Sequence, residues 1–135
     1  MVEIACTYDG DLSCTVTHGP SGTWFRTDAP VDNRGQGRLI SPTDLLAAAI
    51  GSCALTIMGI AAFDRGIELR GARVVVTKEM GAQPRRRIAR LTCEFTLPAA
   101  LDERERTVLE RAAATCPVQA SLGERTELVL RFRYV

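Results

Sequence analysis

The chain has 135 residues, of which 46% are hydrophobic, and its 17 basic residues nearly balance its 16 acidic ones. This length and composition fit a single domain, residues 1–135, with a real apolar core. The near-neutral charge gives no overall field that would attract nucleic acid or an anionic membrane, so we expect neither as a partner. The N-terminus lacks the basic stretch and apolar run of a secretory signal peptide, which predicts a cytoplasmic protein.

The first third of the chain is predicted to form three strands. VEIACTY and LSCTVTH flank DGD, and an Asp-Gly dipeptide tolerates the positive φ of a tight hairpin turn. GTWFRTD is typical of a third strand. The glycine-rich segment APVDNRGQGRLISP has no sustained periodicity and is predicted to be a connector.

A long helix is predicted to follow this connector. Ser41 can cap it, Pro42 suits its first position, and Asp44 places a negative charge in its first turn. Residues 45–63 carry no charge, and at about 1.5 Å per residue such a helix would nearly cross a bilayer. Its alanine-rich composition, with Gly51 and Ser52 in the middle, favours a fully buried helix of a soluble protein instead.

This helix is apolar on nearly every side, and a sheet covers only one side of a helix. The apolar positions include Leu45, Leu46, Ala49, Ile50, Ile57 and Ile60. Because so short a chain has few elements left to cover the other side, we expect a homodimer that buries the two central helices.

The second half of the chain is predicted to contain a hairpin, two helices and a last strand. ELRGARVVVTKEM and RRIARLTCEFTLP are typical of strands, and they are joined by the polar loop GAQPRR. LDERERTVLERAAATC is amphipathic at helical spacing, Pro117 interrupts it, and PVQASLG favours a short second helix. ELVLRFRYV alternates as a half-buried strand does. The whole order predicts an α+β fold.

Five cysteines are the candidates for chemistry. Their number is odd, and none forms a CxxC pair or lies at metal-ligand spacing from the single histidine, His18. We therefore expect no structural zinc site. In a reducing cytosol such cysteines are buried hydrophobes or reactive thiols, and Cys6, Cys14 and Cys93 fall within strand patterns that indicate structural roles.

Cys53 and Cys116 each leave two alternatives open. Cys53 lies mid-helix beside small residues that leave room for a substrate, but its position alone favours a packing residue. Cys116 directly precedes Pro117. If Pro117 begins a helix, Cys116 caps it, where free N–H groups and the helix dipole favour a thiolate. Otherwise Cys116 ends the preceding helix.

Two segments carry a resemblance to a known family. SPTDLLAAAIGSC, followed later by ATCPVQASL, resembles the two cysteine motifs of OsmC/Ohr proteins, in that family's order. The resemblance implies antiparallel sheets around a long buried central helix in an intertwined homodimer. It also implies a thiol peroxidase that defends against oxidative stress, in which Cys53 attacks an organic hydroperoxide and Cys116 resolves the sulfenic acid as a disulfide. A lipoyl-type dithiol or small thiol would be the reductant, without metal or flavin.

The groups that would activate Cys53 differ from the Ohr pattern. Ohr enzymes use a glutamate ten residues before the attacking cysteine, where this chain has Thr43, followed by Asp44. HGPSG replaces their N-terminal arginine turn, so the resemblance leaves Arg26, Arg34 and Arg38 as candidate cations. The alternative functions are a dimeric ligand-binding or redox-sensing protein without efficient peroxidase turnover, and a protein whose cysteines are only structural.

Overall fold

The computed structural model describes residues 1–135 as two compact units, Met1–Leu45 and Leu46–Val135. The first unit holds three strands, a short connector and the beginning of the long helix. The second unit holds the rest of that helix, three strands and two further helices. The assignment of residues 1–135 to a single domain stays a prediction.

The first unit contains an antiparallel sheet of three strands in the order β1-β2-β3. They are β1 (Ile4–Gly10), β2 (Ser13–His18) and β3 (Trp24–Asp28). The predicted hairpin forms, but its turn lies two residues later than expected. Gly10 pairs with Ser13, and the two turn residues, Asp11 and Leu12, have φ of 51° and 61°. Positive φ at both central residues matches the twist of a hairpin, and a register shift between Tyr8 and Gly10 moves the turn off the Asp-Gly pair.

The long helix, α1 (Pro42–Phe63), begins where the sequence predicts. The Ser41 hydroxyl accepts a hydrogen bond from the Asp44 N–H at 3.1 Å, and the Ser41 N–H donates to the Asp44 carboxylate at 2.9 Å. This reciprocal pair is a capping box, which satisfies backbone donors that a helix start leaves free. Before it, residues 29–41 contain only a short 3₁₀ turn, Val31–Asn33.

The second unit builds a sheet of β4 (Arg73–Gly81), β5 (Arg87–Leu97) and β6 (Glu127–Tyr134), in that order. β4 and β5 form the predicted antiparallel hairpin, whereas β6 runs parallel to β5. The parallel pairing is possible because α2 (Glu103–Ala113) and α3 (Pro117–Ala120) form a long crossover between the two strands. The predicted α+β fold around a central helix is confirmed, and its sheets are antiparallel except for the β5–β6 pair.

One face of α1 packs in the core of the second unit. Its buried residues recur every three or four positions and are Ala47, Ile50, Gly51, Ala54, Met58 and Ala62. A Cβ atom on Gly51 would lie 2.9 Å from Val76 Cγ2 and 3.1 Å from Val74 Cγ1, so the helix backbone rests directly on β4. Glycine at position 51 permits this close approach.

The other face of α1 is not buried within the single chain. Ile60 is 54% exposed and Phe63 is 85% exposed, although the sequence predicts burial on all sides. The helix is long and apolar enough to cross a membrane, and a third of its most apolar 18-residue window is buried. Since its buried face belongs to the core, α1 is a core helix. The homodimer that would bury its other face stays a prediction.

Candidate functional site

Cys116 caps the start of α3. Its backbone is extended, Pro117 follows as the first helical residue, and its sulfur accepts a hydrogen bond from the Gln119 N–H at 3.3 Å. Because α2 already ends at Ala113, Cys116 does not belong to the preceding helix. The structure thus decides between the two positions that the sequence leaves open.

Cys53 and Cys116 meet in the second unit. Cys53 is half-buried on α1, and its side chain lies close enough to Cys116 to raise the pKa of that thiol. Cys116 lies 63 positions after Cys53 in the chain, and the path through β4, β5 and α2 returns the start of α3 to α1. The fold therefore brings together two cysteines whose distance from each other cannot be read from the sequence.

The electrostatics of Cys116 differ from the expectation for a helix cap. Burial, with only 1% of the residue exposed, raises the pKa of its thiol above the usual value. The N–H groups of Gln119 and Val118 act to lower this pKa, whereas the hydrogen bond and charge of Cys53 raise it further. α3 is a single turn, so few aligned peptide dipoles oppose the burial. The predicted preference for a thiolate at Cys116 is therefore wrong, and this thiol is protonated near neutral pH.

Cys93 lies close to this pair. It faces the core from β5 and is fully buried. Burial raises the pKa of its thiol to about 11, with a further contribution from negative charge at Cys116. The cross-strand neighbour of Cys93 is Val76, the residue that α1 contacts at Gly51. Sequence reasoning missed this proximity, because the strand pattern of Cys93 says only that its side chain points inward.

The other two cysteines lie in the first unit. Cys6 is exposed on β1, and Cys14 is half-buried on β2. Their cross-strand partners are Val16 and Tyr8, so the two are not paired with each other. His18, at the end of β2, has its Nδ1 2.6 Å from the Ser21 hydroxyl.

The candidate activating arginines also lie in the first unit. Arg26 donates to the Ser13 hydroxyl at 3.3 Å and lies 3.8 Å from the Asp9 carboxylate. Arg38 binds the buried Asp28 carboxylate at 3.0 Å, and this hydrogen bond holds the pKa of Asp28 below its usual range. Arg26 and Arg38 line one cavity of about 320 Å³.

The other candidate activators, Arg34, Thr43 and Asp44, lie in the connector and at the start of α1. Arg34 ends the 3₁₀ turn with a φ of 66°. Thr43 places its hydroxyl 3.2 Å from that of Ser41, and Asp44 completes the capping box of α1. The assignment of any of these five residues as an activator of Cys53 stays a prediction.

No three His, Cys, Asp or Glu side chains are grouped so that they could hold a metal ion. The sequence reasoning also missed Gln119, whose side-chain oxygen is buried without a hydrogen-bond partner. The available signal was its spacing: Gln119 is three residues after Cys116, at the position where a capping box places Glu or Gln.

Comparisons with known proteins identify the family that the sequence resembles. The family model described as OsmC-like protein matches residues 35–131. A crystal structure of a candidate osmotic stress induced and detoxification response protein from Psychrobacter arcticus 273-4 has 39% sequence identity and a TM-score of 0.92, covering 98% of this chain and 96% of that one. A search of curated protein sequences gave no match.

Two more distant crystal structures share the fold. One is an organic hydroperoxide resistance protein OsmC from Legionella pneumophila, with 15% identity and a TM-score of 0.80 over 100% of this chain and 97% of that one. The other is an organic hydroperoxide resistance protein from Elizabethkingia anophelis with thiocyanate bound, with 16% identity and a TM-score of 0.81 over 100% and 96%. At these identities the likeness concerns the fold alone.

Proposed function

Because the chain belongs to the OsmC-like protein family, we propose that it is a thiol peroxidase that reduces organic hydroperoxides through Cys53 and Cys116. The observation that carries this proposal is the proximity of the two side chains, which is near enough for Cys53 to raise the pKa of the Cys116 thiol. Two cysteines on separate elements that meet at a helix start form the arrangement needed to convert a sulfenic acid into a disulfide.

The different burial of the two cysteines supports different roles for them in this proposal. Cys53 is half-buried, so a substrate can reach its sulfur, whereas Cys116 is almost fully buried and its pKa is raised. Cys53 is therefore the attacking residue. Cys116 holds its proton while the peroxide reacts, and it attacks only when the neighbouring sulfur has become electrophilic.

In the proposed reaction one hydroperoxide molecule oxidises the Cys53 and Cys116 thiols by two electrons to a disulfide. The Cys53 thiolate attacks the terminal oxygen of ROOH, the O–O bond breaks, and the alkoxide takes up a proton to leave as ROH. Cys116 then attacks the Cys53 sulfenic acid, an S–S bond forms, and water leaves. The two side chains already interact, and the disulfide requires their sulfurs to approach to about 2.05 Å. An external dithiol, such as a lipoyl group, or two small thiols would reduce the disulfide by exchange.

The proposal includes activation of the Cys53 thiol by a cation. Arg26, Arg34 and Arg38 are the candidates, with Thr43 or Asp44 to orient the cation, because a positive charge near sulfur favours the thiolate.

The proposal also places the protein in the cytoplasm. All five cysteines are free, and free thiols persist in reducing compartments.

A homodimer is the proposed assembly. The exposed side of α1 carries Ile60 and Phe63, and the first sheet exposes Ile4, Tyr8 and Trp24. A second copy of the chain could cover these apolar surfaces, which are unusual for an isolated soluble monomer.

The experiment that tests the function measures consumption of cumene hydroperoxide by the wild-type protein with dihydrolipoamide as the reductant. Turnover should be lost in Cys53→Ser and reduced strongly in Cys116→Ser. Cys6→Ser is the matched control, because Cys6 is exposed on β1, and it should retain full turnover. Full activity in Cys53→Ser would contradict the proposal.

A further inference from the structure

Three arginines lie together on the outer face of the second sheet. Arg73, Thr96 and Arg133 form one row across β4, β5 and β6, because Thr96 is the register partner of both arginines. Glu94 and Arg131 are partners in the next row, and they lie on the same face because alternate residues of a strand point to the same side. We call Arg73, Arg131 and Arg133 the arginine cluster.

The outer face is turned away from the cysteine pair. Val74 and Val76 of β4 point toward α1, where they approach Gly51. Arg73, one position before Val74, therefore points to the other side of the sheet. Since Cys53 belongs to α1, the sheet separates it from a ligand held at the arginine cluster.

The arginine cluster lines a cavity of about 240 Å³ in which positive charge is in excess. Glu94 is the only acidic residue of the lining, so three positive charges stand against one negative charge. Glu94 lies 3.7 Å from Arg131, Arg133 donates to the neutral Thr96 hydroxyl at 2.9 Å, and Arg73 forms no salt bridge. Because like charges on one face of a sheet repel each other, an anion in the cavity would be bound favourably.

The arrangement of donors fits a phosphoryl group better than a carboxylate. A guanidinium group presents its N–H donors in a fork that matches phosphate or carboxylate oxygens. Arg73 and Arg133 are two strand spacings apart, about 10 Å, with Thr96 between them. Thr96 accepts from Arg133, so its own O–H is free to donate to a ligand. Donors from three strands match the three terminal oxygens of a phosphate monoester, whereas a carboxylate has only two.

The surroundings of the cavity favour a small soluble ligand over a membrane surface. Val75 belongs to the lining and is 44% exposed, so the organic part of a ligand can pack on it. Further along the same face, Arg90 is paired with Glu79 and Glu127 at 3.5 and 2.7 Å. An anionic membrane is attracted by an extended basic surface, which these neutralised charges do not supply.

We propose that the arginine cluster binds a phosphate monoester of a small soluble molecule, with Arg73, Arg131 and Arg133 around the dianionic phosphoryl group. Glu94 repels this anion and competes with it for Arg131, so it limits the affinity. The inference goes beyond the proposed peroxidase function and does not depend on it.

Isothermal titration calorimetry with phenyl phosphate tests the inference. The titration is made at about pH 8, where the phosphoryl group is a dianion, and at low ionic strength, where exposed charges are least screened. Benzoate presents the same ring with a carboxylate. The test variants are Arg73→Gln, Arg133→Gln and Glu94→Gln. Arg90→Gln is the matched control, because it removes the same charge from the same face outside the cavity.

We expect Arg73→Gln and Arg133→Gln each to weaken the binding of phenyl phosphate about tenfold, as for loss of one charge-assisted hydrogen bond. Arg90→Gln should change it by less than about twofold. Glu94→Gln should tighten it about threefold, which a partly unfolded protein would not do. Benzoate should bind more weakly than phenyl phosphate, and Cys53→Ser should bind phenyl phosphate as the wild type does.

The inference is overturned if phenyl phosphate does not bind the wild type, if benzoate binds as tightly, or if Arg73→Gln and Arg90→Gln lose affinity equally. Tighter binding by Glu94→Gln is required as well, so an unchanged or lower affinity in that variant contradicts the inference. A last arm uses phosphatidylcholine vesicles that contain phosphatidic acid. Binding to these vesicles without binding of phenyl phosphate would show that the phosphoryl group comes from a membrane and would overturn the proposed soluble ligand. None of these results depends on whether the protein reduces peroxides.

Discussion

The contact between α1 and β4 predicts opposite effects for alanine at two glycines of the same helix. In Gly51→Ala, the new Cβ atom would lie 2.9 Å from Val76 Cγ2 and 3.1 Å from Val74 Cγ1. Carbon atoms pack best at about 3.5–4.0 Å, so the strand or the helix must move by several tenths of an ångström. Overpacking of this kind costs about 1–3 kcal/mol. The gain in helix propensity from Gly to Ala, about 1 kcal/mol, offsets part of this cost.

Gly59→Ala provides the matched control, since a Cβ atom at Gly59 meets nothing within 4 Å. It gains the same helix propensity without the overpacking, so the difference in unfolding free energy between the two variants isolates the contact with β4. We expect Gly51→Ala to be less stable than Gly59→Ala by about 1–3 kcal/mol in urea denaturation. Equal stability, or a more stable Gly51→Ala, would refute the close seating of α1 on β4 that positions Cys53.

Two further predictions concern Cys93 and the exposed side of α1. The pKa of Cys93 rises from 9.0 to about 11 on folding, so between these values the unfolded chain has lost a proton that the folded chain keeps, and stability should fall as pH rises. In urea denaturation between pH 8 and pH 11, the unfolding free energy of Cys93→Ala should fall less with rising pH than that of the wild type. The same pH dependence in both proteins would contradict the burial of this thiol. Ile60→Glu should convert a dimer into a monomer in sedimentation velocity, since Ile60 is 54% exposed in the single chain. A wild-type protein that sediments as a monomer would contradict the proposed homodimer.

Features that depend on neighbouring residues could be predicted from the sequence. The start of α1 follows from Ser41, Pro42 and Asp44, and the structure shows the expected capping box. The position of Cys116 at the start of α3 follows from Pro117. The first hairpin was also predictable, but its turn was not, because the register shift before Gly10 depends on pairing with β2.

Features that depend on packing could not be predicted from the sequence. The local argument for Cys116 considers the helix start, yet burial by the rest of the second unit dominates and raises its pKa. No residue spacing indicates that Cys53 and Cys116 lie close together, and only the family resemblance implied it. The unpaired oxygen of Gln119 is likewise invisible in the sequence, because burial and a missing bond are both tertiary properties.

The most direct test of the account is the disulfide formed when the reduced protein reacts with one equivalent of cumene hydroperoxide. After remaining thiols are blocked, trypsin places Cys53, Cys93 and Cys116 in separate peptides, residues 39–65, 91–104 and 112–125. The account predicts that mass spectrometry finds peptide 39–65 linked to peptide 112–125, in proportion to the peroxide consumed. Peroxide consumption with Cys53 still reduced, or a disulfide that excludes Cys116, would contradict it.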